Sequence, residues 1–235
     1  MHRLGFEGSE AEALGKWLQH QNTLKVKTVF THLVGSDDAR LDAHTRQQTA
    51  DFDKTCQILQ QYVGYPFMRH MANTAAIGRY PHLQMDMVRL GIGLYGIDTA
   101  GKLLLEPVST LQTSVAQVKK VSAGDAVGYN RKGMVTKDSV IATVRIGYAD
   151  GYRRELSNGK GYMLVHGQKA PVIGNVSMDM TMLDVTGISN VATGDKVEVF
   201  GKNISVQEVA IQCGTIPYEI MTGISQRVKR VYFSE

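Results

Sequence analysis

Apolar positions in the first hundred residues follow two rhythms. VKTVFTHLV (26–34) is a β-branched apolar run and predicts a buried strand. Over 40–63, Phe52, Cys56, Leu59 and Val63 fall at helical spacing and predict a long amphipathic helix. FMRHMAN (67–73) predicts a second short strand and TAAIGRY (74–80) a short helix, while MVRLGIGLYGI (87–97) is strand-like and rich in glycine. Strand, helix, strand, helix, strand is the grammar of an α/β layer with a parallel sheet. After about residue 108 the grammar changes. VSTLQTSVAQVKKV, SVIATVRIGY, GYMLVHGQKAPVIGNV, MTMLDVT and DKVEVFG predict strands separated by Gly, Asn and Asp turns, with one short helix at 205–213. That predicts an all-β domain, a barrel or sandwich of Greek-key type. DTAGKLLLEP (98–107) reads as a connector. The expected fold class is α/β plus β: a partial (β/α)8 TIM-type barrel with its connector over 1–107, then a C-terminal all-β domain over 108–235.

Composition narrows the function classes. Of 235 residues, 43% are hydrophobic and 20% charged, enough to build cores in one or two domains. The net charge is +4 and the pI is near 9.0, but the basic residues are scattered, so no nucleic-acid tail is expected. An anionic small molecule suits this balance as well. Cys56 and Cys213 lie far apart without metal-like spacing, so free thiols and no metal site are expected. No apolar run approaches the ~20 residues of a membrane span and no leader precedes MHRLGF, so a cytoplasmic protein is expected. A complete (β/α)8 barrel takes about 250 residues, or about 30 per unit. A first region ending near 97 holds about three units, which predicts an incomplete barrel with open sheet edges.

Candidate chemistry clusters at predicted strand ends. Arg3 lies in MHRLGF, His32 closes VKTVFTH, Asn73 and Thr74 follow FMRHM, and Arg89 leads into RLGIG. In parallel α/β folds, ligands bind where the carboxyl ends of strands meet loops. A strand-end histidine taken singly is more often a satisfied structural group, but four polar positions at successive ends argue for a site. RLGIG suits an anion nest of backbone N–H groups, and Thr74 at a helix start adds a hydroxyl to it. In the β region, VGYNRKG sets Tyr129 between glycine and two cations. IGYADGYRR places Tyr148, Asp150 and Arg154 in a turn, and GNVSMDM interrupts strand alternation. A strand tyrosine usually packs. Tyr129 reads instead as an exposed phenol, which becomes a base only if nearby positive charge lowers a pKa ordinarily near 10.

MHRLGF, THLVGSDD, HMANTAA, MVRLGIGLYGI, VGYNRKG, IGYADGYRR and GNVSMDM occur in that order, and the chain closes on ISQRVKRVY. This set resembles the motifs of the alanine racemase family over the whole chain; IGYADGY with the downstream SMDM is its most diagnostic pair. The resemblance implies a pyridoxal 5'-phosphate-binding (β/α)8 barrel followed by a β domain. It implies interconversion of L-alanine and D-alanine by two bases, supplying D-alanine for peptidoglycan. By resemblance, Arg3 and the Met178 backbone bind substrate. Asn73, Thr74, Gly91, Ile92 and Arg89 bind the cofactor, with Thr74 where the family usually has serine and Arg89 facing the pyridine nitrogen. Tyr129 is the base on the L-alanine side, His32 bridges it to Arg89, and Tyr148 and Arg154 line the substrate corridor. A homodimer with shared active sites is also implied. The sequence departs from the pattern in three places. The cofactor lysine of a VVKANAYGHG-like motif has no counterpart, since Lys132 and Lys169 lie in the β region. Gln226 replaces a tyrosine, and Asn175 stands where some members have arginine. The chain is therefore expected to be a C-terminal portion, inactive alone, with MHRLGF a mid-barrel loop. A racemase of serine or a basic amino acid, and a non-catalytic dimerisation module, are the competing readings.

Overall fold

The computed structural model describes residues 1–233, in two compact units divided between Glu106 and Pro107. The first unit runs α1 (Ala11–Gln19), β1 (Thr28–Phe30), α2 (Asp42–Val63), β2 (Met68–Asn73), α3 (Thr74–Arg79) and β3 (Met87–Arg89). Its strands form a parallel sheet in the order β1-β2-β3, with Thr28 opposite Met68 and Asn73 opposite Arg89. The core lies between α2 and the sheet: Phe52 and Cys56 meet Leu33, Met71, Ala72, Ala76 and Leu83, all buried. α2 ends at Gly64, whose φ of 72° supplies the left-handed cap a side chain would resist.

Two expected strands are shorter than their apolar runs. Only Thr28–Phe30 of 26–34 pairs, because β1 has β2 as its single partner and the chain turns away at Thr31. Of 87–97, only Met87–Arg89 is strand; Ile92–Tyr95 winds into a 3-10 turn between Gly91 and Gly96. Both edges of the described sheet are open, and Phe30, Met87 and Val88 are exposed beside them.

The second unit adds β4 (Leu111–Val121), β5 (Ala126–Val127), β6 (Gly133–Met134), β7 (Ser139–Val144), β8 (Tyr162–Val165), β9 (Gln168–Pro171), β10 (Thr181–Asp184) and β11 (Lys196–Phe200), then α4 (Val206–Cys213) and α5 (Pro217–Thr222). Six strands form an antiparallel sheet in the order β10-β7-β4-β11-β8-β9. The two outer strands meet through the Val172–Leu183 bridge and the bond from Ile173 N–H to the Met182 carbonyl at 2.9 Å. The sheet thus closes into a barrel, which removes the edges an open sheet would expose. The long β4 makes closure possible. It pairs with β11 through Leu111–Ser114 and with β7 through Val115–Val121, and a register shift between Val115 and Gln117 bends it from one partner to the other. Val115, Val144, Met163, Val165, Leu183 and Val197 fill the interior.

Candidate active site

Parallel pairing brings the carboxyl ends of β1, β2 and β3 to one side of the sheet, the side where α/β folds place ligands. His32 stands two residues beyond β1, Asn73 ends β2, Thr74 begins α3, and Arg89 ends β3. The structure brings together the three cationic or basic groups expected there from the sequence, His32, Arg89 and Arg3. The Arg89 Nη2 lies 3.3 Å from His32 Nδ1. Guanidinium groups donate and never accept, so Nδ1 is the acceptor and the His32 proton sits on Nε2. Burial, followed by the Arg89 and Arg3 charges, holds the His32 pKa below its ordinary value, so the imidazole is neutral at physiological pH. Arg3 acts on Arg89 as well, placing a second guanidinium in the field of this pair.

Aromatic packing fixes Arg89 from behind. Its guanidinium lies 4.2 Å from the centroid of the Phe30 ring, a cation–π contact. Phe30 stacks in turn on His70, at 5.1 Å and 24°. The Arg89 Nε is buried and has no hydrogen-bond partner among the described residues. His32 is held by a residue the sequence reading missed. Gln48 of α2 donates from Nε2 to the His32 carbonyl at 2.8 Å and to Thr31 Oγ1 at 2.9 Å, and accepts the Val34 N–H at 3.3 Å. In sequence a mid-helix glutamine reads as part of a solvated face, so nothing marked it.

Thr74 and the RLGIG turn form the second cluster. The buried Thr74 Oγ1 accepts the Gly91 N–H at 3.2 Å and the Gly93 N–H at 3.1 Å. Both oxygen lone pairs are thereby used, and the hydroxyl proton is left to donate outward. The approach requires glycine at 93, where a Cβ would sit 2.9 Å from Thr74 Cγ2. The Gly91 amide, expected to face a ligand, is directed to Thr74 instead, while the Ile92 N–H has no partner among the described residues. The Asn73 Oδ1 is also engaged internally. It caps α3 by accepting the Ala76 N–H at 3.1 Å and takes the Ser36 hydroxyl at 2.7 Å.

In the second unit, Tyr129 stands in the 3-10 turn Tyr129–Arg131 between β5 and β6, a hairpin the sequence reading left unassigned. Its side chain is exposed, and the Asn175 Nδ2 donates to its carbonyl at 3.4 Å. Tyr148 and Met178 lie on two segments laced together. The Tyr148 N–H donates to the Ser177 carbonyl and the Ala149 N–H to the Met178 carbonyl, both at 3.0 Å. A Cβ on Gly147 would fall 2.3 Å from the Ser177 carbonyl oxygen, so only glycine permits this approach. Arg227 locks the arrangement, bonding Asp150 through Nε at 2.7 Å and Asp179 through Nη2 at 2.6 Å. Arg154 opens the turn Arg154–Leu156, whereas its neighbour Arg153 makes the ion pairs, to Glu155 and Glu219. Among the described residues no group of three or more His, Cys, Asp or Glu could hold a metal ion, and no helix is long and apolar enough to cross a membrane.

The sequence model described as the alanine racemase C-terminal domain matches residues 108–232, and the one described as the alanine racemase N-terminal domain matches residues 1–99. The chain belongs to the alanine racemase family. It is 41% identical over 236 residues to an alanine racemase of Alteromonas mediterranea, with 98% of this chain and 63% of that protein covered. Among solved structures, alanine racemase from Bartonella henselae, with covalently bound pyridoxal phosphate, superposes with a TM-score of 0.89 at 33% identity, covering 99% of this chain and 64% of that one. Alanine racemase from D-cycloserine-producing Streptomyces lavendulae gives a TM-score of 0.92 at 29% identity, covering 100% and 64%. The chain therefore spans slightly under two thirds of the alanine racemases it matches. The two matches show that the chain carries sequence of both alanine racemase domains and is not confined to the C-terminal one.

Proposed function

We propose that this chain provides most of the active-site residues of an alanine racemase that interconverts L-alanine and D-alanine with pyridoxal 5'-phosphate. The observation that carries the reading is the convergence, at the carboxyl ends of three parallel strands, of the His32–Arg89 pair with the Thr74–Gly91–Gly93 cluster. The residues present suit the cofactor at two points. Arg89 has a buried, unpartnered Nε beside a neutral histidine, which suits a ring nitrogen needing a donor. Thr74 has a hydroxyl proton to give and Ile92 an unpartnered amide, which suit phosphate oxygens. Bound there, pyridoxal phosphate supplies an electron-accepting ring that makes an amino acid's α-proton removable.

The chain's own residues then divide the work. Arg89 stays cationic and donates to the ring nitrogen, keeping a proton off it and moderating the sink, which suppresses side reactions such as transamination. Arg3 binds the substrate carboxylate and the Met178 N–H adds a backbone donor. The Tyr129 Oη takes or returns the α-proton on the L-alanine face, with His32 relaying charge between it and Arg89. Tyr148 and Arg154 line the approach. Tyr129 reaches the site from a partner subunit, in a homodimer with shared sites.

The second base and cofactor anchor is a lysine, and this chain lacks a suitable one. The first unit's lysines are Lys16 on α1, Lys25 and Lys27 ahead of β1, Lys54 on α2 and Lys102 in the connector, none of them at a strand's carboxyl end. The chain alone is therefore expected to be inactive. The test is a chimera in which the portion of the Alteromonas mediterranea relative that carries the cofactor lysine precedes residue 1. The chimera should exchange the α-proton of both alanine enantiomers in D2O, whereas the chain alone with added cofactor should exchange neither and give no lysine adduct on borohydride reduction. A folded, cofactor-loaded chimera that racemises serine or lysine in preference to alanine would refute the substrate assignment. Full activity of the chain alone would refute the missing-lysine reading.

A further inference from the structure

The loop that follows β1 carries His32, and helix α3 begins with Thr74. Between the two runs a chain of partly buried polar contacts that the proposed chemistry does not use. At the start of α3, the Asn73 Oδ1 accepts the hydroxyl of Ser36, a fully buried loop residue. At the end of α3, the Arg79 Nη1 donates to the Ser36 carbonyl at 2.7 Å, and Nη2 donates to the Asp42 Oδ1 at 2.8 Å. The same Asp42 oxygen accepts the Tyr80 hydroxyl at 2.6 Å. Asp42 is the first residue of α2, and its pKa is lowered by the Tyr80 hydroxyl and then by Arg79. The Arg79 side chain is only 13% exposed. An arginine packed this deeply, with charge-assisted bonds to two other elements, fixes geometry as well as adding stability. The loop is thus tied to both ends of one short helix.

We propose that Arg79 is a positioning residue: by clamping the loop after β1 onto α3, it sets the placement of His32 and Arg89 relative to the Thr74–Gly91–Gly93 cradle. Its relevance to cofactor binding rests on the reading given under Proposed function; the mechanical coupling does not. Arg79 touches no reacting group and works through Ser36 and Asn73. A cofactor held at both its phosphate and its ring nitrogen needs the two holding points at a fixed separation, and this clamp fixes the loop whose His32 meets Arg89 against the helix that carries Thr74.

The experiment uses the full chain with its histidines isotopically labelled, and His32 assigned from the spectrum of His32→Gln. In the wild type, His32 should titrate below the ordinary imidazole value of about 6.5. In Arg79→Met the loop is released and the His32 midpoint should rise toward that value. Ser36→Ala cuts the other tie and should move His32 the same way, and Arg79→Lys, which can reach one of the two acceptors, should give an intermediate shift. Arg40→Gln alters an exposed ion pair to Asp38 in the same region and should change nothing. Affinity for pyridoxal phosphate, read by fluorescence, should fall roughly fivefold in Arg79→Met, about the effect of one net hydrogen bond. An unmoved His32 midpoint in folded Arg79→Met and Ser36→Ala overturns the clamp, even if melting temperatures drop. If the chimera that carries the anchoring lysine binds no pyridoxal phosphate, the cofactor reading fails, while the titration still decides the coupling.

Discussion

Thr74 is a threonine where hydroxyl chemistry and shape are both in use. Its oxygen satisfies the Gly91 and Gly93 amides of a partly exposed turn, and its proton is left for a ligand. Thr74→Val keeps the shape and removes the acceptor, so the Gly91 and Gly93 N–H groups lose their partner at a cost of about 0.5–1.5 kcal/mol each, water taking up part of the loss. Urea unfolding should show that loss, and phosphate affinity should fall with it. Thr74→Ser should restore both, and a valine variant as stable and as tight-binding as wild type would show that the hydroxyl is idle. At this scale the sequence was informative where residue type and position coincide. Arg3, His32, Thr74 and Arg89 stood out because polar groups at successive strand ends are unusual, and the structure brings them together. Gln48 and Arg79 were invisible, because on a helix surface a polar residue looks the same whether it faces water or pins a neighbouring loop. The Gly91 amide shows the converse limit: its partner is Thr74, seventeen residues away, which no spacing rule would select.

At the scale of elements, the β1–β2 pair carries a pH dependence. His32 follows β1, and His70 lies in β2 with both ring nitrogens buried and unpartnered. The pKa of each is lowered, first by burial and then by the charge of Arg89. A histidine with a depressed folded-state pKa is neutral in the fold while the unfolded chain takes up a proton, so below the unfolded value of about 6.5 the unfolded state binds more protons. Stability is therefore full above that value and falls as pH drops through it. The urea midpoint of the first unit, followed by the single tryptophan Trp17 on α1, should be lower at about pH 5.5 than at about pH 7.5. The difference should shrink in His70→Leu and again in the double variant with His32→Gln; a midpoint that rises on acidification would contradict it. Legibility varied among elements for physical reasons. α2 is long and its apolar stripe is regular, so its pattern alone sufficed. β1 and β3 are three residues each, because pairing partners rather than apolar runs set their length. α5 went unassigned although Pro217 at its first position is a usable start signal. The β5–β6 hairpin around Tyr129 has strands of two residues, too short for any period to register.

On the scale of the whole molecule, the all-β character of the second unit could be read from alternation, but its closure could not. Closure depends on Val172 meeting Leu183 and on the bend in β4, both long-range facts. The same limit applies to the proposed active site, because Tyr129 lies in the second unit while His32, Thr74 and Arg89 lie in the first. Tyr129 is 69% exposed and its hydroxyl has no partner among the described residues, as a base that serves a partner's site would be. Two inactive chimeras test the arrangement. Tyr129→Phe in the chimera removes one hydroxyl and should cripple exchange at L-alanine more than at D-alanine. Replacing the anchoring lysine in a second chimera removes the other base. In a two-fold symmetric dimer each site takes Tyr129 from one subunit and the lysine from the other. A mixed dimer then holds one site with both defects and one with neither. Random mixing makes half the dimers mixed, so a mixture of the two inactive proteins should recover about a quarter of the parent chimera's activity. If both bases came from the same subunit, every site would keep one defect and mixing would recover nothing. Mixed dimers verified by mass, yet inactive, would therefore assign Tyr129 to its own subunit's site.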